Sequence, residues 1–308
     1  MATGLSDKIC FFNGNYVPLQ EANVNIQTHA LQYGTACFGG VRGYWNAQQK
    51  NIYIFRIDEH HKRLSQSARM LFMNFDYSLE EFTGITRKVL QMGQWGQNVY
   101  LRPFLYKSDL DISPRLHNVK DSFALYVLPL DDYLDTKKGL NVCVSSWRRI
   151  HESMIPTRAK ANGGYINSAL AKSEAVQNGF DEAIFLDAHG NVSEATAANL
   201  FIVKDGKLIT PDLGSSILEG ITRKSIMALA EKNSIPCEAR VISRSELYSA
   251  DEVFLSGTGV QIAWIKAIDQ RPIGKGVIGP VTEKIQTLFF KIVRGEVPEY
   301  SHWLTGIY

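Results

Sequence analysis

The sequence predicts an α+β protein of two domains, on three observations. Its 308 residues exceed the roughly 100 to 200 of a usual single domain. Its first half alternates short strand patterns and tight turns with two amphipathic helix patterns, and strand patterns dominate the middle of its second half. Between the halves, the polar run DDYLDTKKG reads as a linker. The expected division is a smaller N-terminal α/β domain over 1–130, a linker over 131–138 and a larger C-terminal domain over 139–308.

In order, ICFFNGNYVP carries Asn13-Gly14 between apolar flanks and predicts a hairpin. VRGYWNAQQKNIYIF predicts another. Leu64, Ala68, Leu71 and Phe72 recur at helical spacing, with Asp58 as the expected N-cap. A second helix opens at Ser78, where Glu81 completes a capping box. NVYLRPFLY, SFALYVLPL and LNVCVSSW read as strands. A helix follows Gly164, then strands EAIFLDA and NLFIV, with turns at His189-Gly190 and Asp205-Gly206, and a helix from about Gly220. The last helix is framed by Pro280 and Gly295, with Val281, Ile285, Leu288, Phe289 and Ile292 as its apolar stripe.

Composition narrows the function classes. An apolar fraction of 45% and a charged fraction of 21% are those of a globular protein. A formal charge of +2 proposes neither nucleic acid nor an acidic membrane as partner. No apolar run approaches the roughly 18 to 20 residues of a membrane span, and MATGLSDKIC lacks the basic and apolar regions of a signal peptide, so a cytoplasmic protein is expected. Cys10, Cys37, Cys143 and Cys237 form no CxxC pair and read as buried thiols, and no metal site is expected.

Several patterns could carry chemistry. GKGVIG, Gly274 to Gly279, has the spacing of a dinucleotide fingerprint but lacks the βαβ setting, and reads as a hairpin tip. His60-His61 would diverge by about 100 degrees on a helix and reads as a solvated helix start. Lys160 differs from an ordinary surface lysine: it sits in PTRAKANGGYINSALAKSEA, just before a glycine pair and a helix. Small neighbours Ala159, Ala161, Gly163 and Gly164 would admit a planar ligand, and partial desolvation would lower the amine pKa toward imine formation. In SSILEGITRKS, Gly220, Ile221 and Thr222 open a helix whose free N–H groups suit an anion. Ser256, Gly257, Thr258 and Gly259 in LSGTGVQI form a second anion-compatible turn. With an acid at Glu194, these are the parts of a pyridoxal-phosphate site.

The ordered segments THALQYGTACFGGVRGYW, HHKRL, VYLRPF, VSSWRRI, IPTRAKANGGY, GNVSEATAANLF, SSILEGITRKS, DEVFLSGTG and GPVTEKIQTLFF span nearly the whole chain. By them the chain resembles the branched-chain amino-acid aminotransferases, which are fold-type IV pyridoxal-phosphate enzymes with a D-amino-acid aminotransferase-like fold. The resemblance implies a C-terminal domain with a β-barrel-like core and pyridoxal 5'-phosphate as cofactor. It makes Lys160 the catalytic lysine that holds the cofactor as a Schiff base. Glu194 would pair with the pyridine nitrogen and Tyr165 with the ring hydroxyl. Arg63, Gly220, the Ile221 and Thr222 N–H groups and Thr258 would hold the phosphate, and Leu218 would pack on the ring. Tyr33, Phe38, Gly40, Tyr133 and Trp147 would line the substrate side-chain pocket. Tyr100, Arg102, Thr258 and Gly259 would meet carboxylates, and Arg42 would order the pocket mouth.

The implied reaction passes the amino group of L-leucine, isoleucine or valine to 2-oxoglutarate, giving a 2-oxo acid and L-glutamate. The implied assembly is a homodimer or higher homo-oligomer, such as a trimer of dimers, with the active site at the dimer interface. Departures from the family pattern are Gly39 in place of glutamate, Gly164 in place of asparagine, Ala198 in place of a second glutamate, and the charged loop KSDLDISPRLHN. They leave the cofactor chemistry intact and bear on the substrate. The alternative is another fold-type IV activity: a D-amino-acid or R-amine transaminase, an aromatic donor, or aminodeoxychorismate lyase.

Overall fold

The computed structural model describes residues 7–131 and 138–308, and the chain falls into two compact units. One comprises Met1–Asp131, Ala159–Gly163 and Lys291–Tyr308; the other Asp132–Arg158 and Gly164–Phe290. Most of the 131–138 segment expected to be a linker lies outside the described residues.

The first unit contains β1 (Ile9–Phe12), β2 (Asn15–Pro18), β3 (Ala36–Phe38), β4 (Val41–Asn46), β5 (Asn51–Phe55), β6 (Val99–Lys107) and β7 (Asp121–Pro129), with helices α1 (His29–Tyr33), α2 (Ile57–Met70) and α3 (Leu79–Gly93). Its sheet runs from the C-terminal strand Leu304–Gly306 through β5, β4, β6, β7 and β1 to β2, with β3 beside β6, and every pairing is antiparallel. Side chains alternate across such a sheet, so Val99, Leu101 and Leu105 of β6 join Phe123, Leu125 and Val127 of β7 on the core face. Leu64 and Ala68 of α2 and Phe82, Ile85 and Val89 of α3 complete that core. The Asn13-Gly14 hairpin forms with both residues at positive φ, 50° and 89°, as the turn chemistry requires. Ser78 and Glu81 form the full capping box of α3.

The start of α2 corrects an expectation. Its N-cap is Arg56, in the left-handed region at φ 51°, and Asp58 lies within the first turn, where its charge still complements the helix dipole.

The second unit contains β8 (Leu140–Arg148), α4 (Tyr165–Gln177), β9 (Glu182–Leu186), β10 (Val192–Ala195), β11 (Asn199–Lys204), β12 (Lys207–Thr210), α5 (Ile221–Lys232), β13 (Cys237–Ala239), α6 (Arg244–Ser249), β14 (Glu252–Gly257), β15 (Gln261–Ile268), β16 (Arg271–Pro272) and most of α7 (Pro280–Val293). The strand order is β10-β9-β8-β15-β14-β11-β12-β13, with β16 beside β15. Three pairings are parallel, β8 with β9, β8 with β15 and β12 with β13. Register shifts between Val144 and Arg148, Val192 and Ala195, and Ile265 and Ala267 help to curl the sheet into its half-barrel. Strands β9, β11 and β14 are buried nearly throughout because both faces are covered. On β9, Ile184 faces the inner core with Leu200 and Leu255, while Ala183 and Phe185 face Ala171 and Ala175 of α4.

GKGVIG is not a hairpin tip. The tip of the β15–β16 hairpin is Asp269-Gln270, and Gly274 to Gly279 connect β16 to α7. Cys10, Cys37 and Cys143 are buried thiols, but Cys237 is only half-buried. Burial pushes Cys37 up to about 12, with Asp121 adding to the effect. Among the described residues no cluster of His, Cys, Asp and Glu could hold a metal, and no helix is long and apolar enough to cross a membrane.

Candidate active site

The segment carrying Lys160 is tied into the first unit through its backbone. Phe38 N–H donates to Lys160 O at 3.1 Å, and Lys160 N–H donates to Ser67 Oγ at 3.1 Å. The Ser67 hydroxyl in turn donates to Arg63 O at 2.9 Å, one helical turn earlier on α2. The glycines allow this approach. Gly163 N–H meets Gly34 O at 3.1 Å, and a Cβ at Gly34, already at φ 67°, would lie 2.9 Å from Gly163 Cα. The half-buried Lys160 points its Nζ at the face of Phe38, 4.9 Å from the ring centroid.

The same ring carries a second cation. Arg102 Cζ lies 4.2 Å from the Phe38 centroid, and its guanidinium donates to Tyr100 Oη at 3.2 Å. Arg102 Nε is buried with no hydrogen-bond partner among the described residues. Gly40 leaves room for Tyr100, whose ring would lie against any Cβ placed there. At Gly39 a Cβ would come 2.6 Å from Pro103 Cγ, so the proline ring would have to shift to admit the glutamate of the family pattern. Arg42 is 1% exposed and donates to Leu130 O at 3.0 Å and to Asp131 O, anchoring the end of β7. Tyr33 is 37% exposed, and its hydroxyl donates to Ile112 O. Tyr133 lies outside the described residues.

One residue of this unit was misread in the sequence. His60 is not solvated: it is 3% exposed, its Nδ1 has no hydrogen-bond partner among the described residues, and burial followed by the charges of Arg63, Lys160 and Arg56 holds its pKa well below 6.5. His61, by contrast, is half-buried and bonds through Nε2 to Tyr77 O at 2.8 Å. Ser67 was also missed. Its signal was its position four residues after Arg63, on the same helix face.

In the second unit the best-fixed group is Glu194, on β10 and 5% exposed. Its Oε1 lies 2.9 Å from an Arg149 guanidinium nitrogen, and its Oε2 accepts from Asn199 Nδ2 at 3.0 Å and from Leu218 N–H at 3.0 Å. Neither Arg149 nor Asn199 was singled out in the sequence. The signal for Asn199 was available: Ala195 N–H donates to Ala198 O at 2.8 Å, so residues 194 and 199 are neighbours across a tight turn. Leu218 is half-buried, and Gly220, Ile221 and Thr222 are buried at the start of α5. The first backbone bond of α5 runs from Lys224 N–H to Gly220 O at 3.0 Å, which leaves the N–H groups of Ile221, Thr222 and Arg223 without intrahelical acceptors and suited to an anion. Tyr165 opens α4, Trp147 is 43% exposed on β8, and Thr258 and Gly259 form the β14–β15 turn, with open space where a Gly259 side chain would be. Among the expected site residues, the first unit thus carries Lys160, Arg63 and the Phe38–Arg102 wall, and the second carries Glu194 and the anion-compatible turns.

An antiparallel unit that carries a half-buried lysine, and a curled half-barrel unit that carries a fixed buried carboxylate, make up the plan of an aminotransferase. The family model of class IV amino-transferases matches residues 40–268, and the chain belongs to that family. The chain is 45% identical to a "probable branched-chain-amino-acid aminotransferase" of Aquifex aeolicus over 100% of its own length and 99% of the relative's. It superposes with a TM-score of 0.94 and 39% identity on the branched-chain aminotransferase of Thermoproteus uzoniensis crystallised with norvaline, covering 97% of this chain and 99% of that one. The pyridoxal-phosphate form of the Thermobaculum terrenum branched-chain amino acid aminotransferase gives a TM-score of 0.94 at 36% identity, with 99% of each chain covered.

Proposed function

We propose that this protein transfers the amino group of a branched-chain L-amino acid to 2-oxoglutarate with pyridoxal 5'-phosphate as cofactor. The observation that carries the reading is the shared Phe38 wall. One apolar ring bears Lys160 Nζ at 4.9 Å and the Arg102 guanidinium at 4.2 Å. A transaminase needs an amine at the reacting carbon and a site that accepts both an apolar side chain and a carboxylate. The names and ligands of the similar proteins point the same way.

The donor set fits the cofactor. Arg63, Gly220, Ile221, Thr222 and Thr258 would hold the phosphate, Tyr165 the ring hydroxyl, and Leu218 one face of the ring. When bound, the cofactor supplies an aldehyde that condenses with amines and a ring that accepts the electron pair left at the α-carbon. Glu194, held by Arg149 at 2.9 Å, would keep a proton on the ring nitrogen facing it. Lys160 Nζ would anchor the aldehyde carbon and, once free, take the proton from the substrate α-carbon. Tyr33, Phe38, Gly40, Tyr133 and Trp147 would bound the side chain, with Tyr100, Arg102 and the Thr258 and Gly259 backbone at the carboxylates and Arg42 steadying the pocket mouth. Along the sequence the domains would be 1–130 and 139–308 with a linker over 131–138, residues 159–163 and 291–308 packing within the N-terminal unit, in a cytoplasmic homodimer or higher oligomer with the site at its interface.

The test is a set of half-reactions. The yellow holoenzyme is mixed with single donors, and its visible absorbance is followed by stopped flow. L-leucine, L-valine and L-glutamate should each bleach the band and release the matching 2-oxo acid. Bleaching by D-alanine or an R-amine, with no response to L-leucine or L-valine, would overturn the assignment in favour of another fold-type IV activity.

A further inference from the structure

We propose that Asn199 is a positioning residue that aims the Glu194 carboxylate and locks it to the turn ahead of α5, a role that rests on the cofactor reading above. The Asn199 Nδ2 amide has two protons, and both are used: one bonds Glu194 Oε2 at 3.0 Å, the other Leu218 O at 2.8 Å. Leu218 N–H returns to the same Glu194 oxygen at 3.0 Å. The three groups close a ring of hydrogen bonds, while Arg149 holds the second carboxylate oxygen at 2.9 Å. A carboxylate gripped at both oxygens cannot rotate freely about its last bond, so its lone pairs keep a fixed direction.

The other end of the Asn199 amide explains a glycine. Gly220 has φ −73° and ψ 136°, a conformation open to any residue, so its backbone does not call for glycine. What excludes a side chain is Asn199 Oδ1, which occupies the space a Gly220 Cβ would need. Asn199 therefore sets both the direction of the carboxylate proposed for the ring nitrogen and the position of the turn proposed for the phosphate. A cofactor gripped at these two ends would be held in register by a side chain touching neither end of it.

The experiment uses wild-type protein, Asn199→Ala, Asn199→Asp, Glu194→Gln, Gly220→Ala and the doubles Asn199→Ala/Glu194→Gln and Asn199→Ala/Gly220→Ala. Each is reconstituted with pyridoxal 5'-phosphate. The readouts are the cofactor dissociation constant and the pH titration of the visible absorption band. Losing a hydrogen bond to a charged group should weaken cofactor binding about ten- to a hundredfold in Asn199→Ala and displace the titration midpoint. Asn199→Asp, which keeps the volume but loses both donors, should change both readouts in the same directions even where Asn199→Ala folds poorly. In the Glu194→Gln background the midpoint displacement should vanish, and Asn199→Ala should relieve the weakening caused by Gly220→Ala, since the clash partner is gone. An unchanged midpoint and affinity in both Asn199 variants, or effects that simply multiply in both doubles to within about twofold, would overturn the positioning role while leaving the function intact. A wild-type protein that bound no cofactor would overturn both.

Discussion

At the scale of single residues, His60 shows how burial reverses a reading made from neighbours in sequence. Adjacent helical side chains do diverge, and His61 reaches Tyr77, but His60 turns inward toward Arg63 and Lys160. Burial and three nearby cations keep its imidazole neutral when folded, whereas in the unfolded chain it titrates near 6.5. Below that pH the unfolded state binds the extra proton, so His60 should cost stability as the pH falls from 6.5 and cost nothing above it. The slope for one proton is about 1.4 kcal/mol per pH unit at most. Urea unfolding between pH 5 and 7.5 should show a steeper loss of stability toward acid in wild type than in His60→Gln, and identical slopes would refute this. Lys160 was readable because its neighbours are small and its surroundings distinctive in sequence. Ser67 and Asn199 were overlooked although their partners lie four and five residues away along the chain, whereas Arg149 depends on a partner brought near only by folding.

At the scale of elements, local chemistry was legible wherever it acts within a few residues. The Asn13-Gly14 turn and the Ser78-Glu81 cap formed as expected because their partners lie within the turn itself. The start of α2 was misjudged because Arg56 adopts positive φ and donates its backbone N–H to Trp303 O at 2.7 Å, a partner far along the chain. Two surface segments of the first unit carry a further consequence. Val24, Ile26 and Leu31 are exposed on one, and Leu110 and Ile112 on the other, with Ile26 at 82% and Ile112 at 74%. His29, fully buried, binds the second segment through Nε2 to Ser113 O at 2.9 Å, and Tyr33 binds it at Ile112 O. So much exposed apolar surface on anchored backbone is what a subunit contact would cover. Light scattering should give a mass of about twice 34.6 kDa or a multiple of that, and Ile26→Ser with Ile112→Ser should shift it toward monomer. A monomeric wild type at micromolar concentration would contradict the oligomer.

At the scale of the whole molecule, the α+β class and strands β1, β2, β4 to β9 and β11 were legible, because period-two and helical patterns are properties of contiguous sequence, whereas β3, β10, β12, β13, β15 and β16 were not picked out. The grouping of segments was not. Residues 159–163, which carry Lys160, belong by their contacts with the N-terminal part of the chain, as do residues 291–308. An antiparallel bridge between Cys37 and Ala161 and the bond from Phe38 to Lys160 O cause the first, and pairing of Leu304–Gly306 with β5 causes the second. Sequence distance conceals both. The lysine-bearing segment is thereby held against β3, with Lys160 as the residue proposed to join the cofactor. The most direct measurement is borohydride reduction of the pyridoxal-phosphate holoenzyme, followed by digestion and mass spectrometry. A phosphopyridoxyl group is expected on Lys160 alone; a modified lysine elsewhere, or no covalent adduct in a protein that holds the cofactor, would show that Lys160 does not join it.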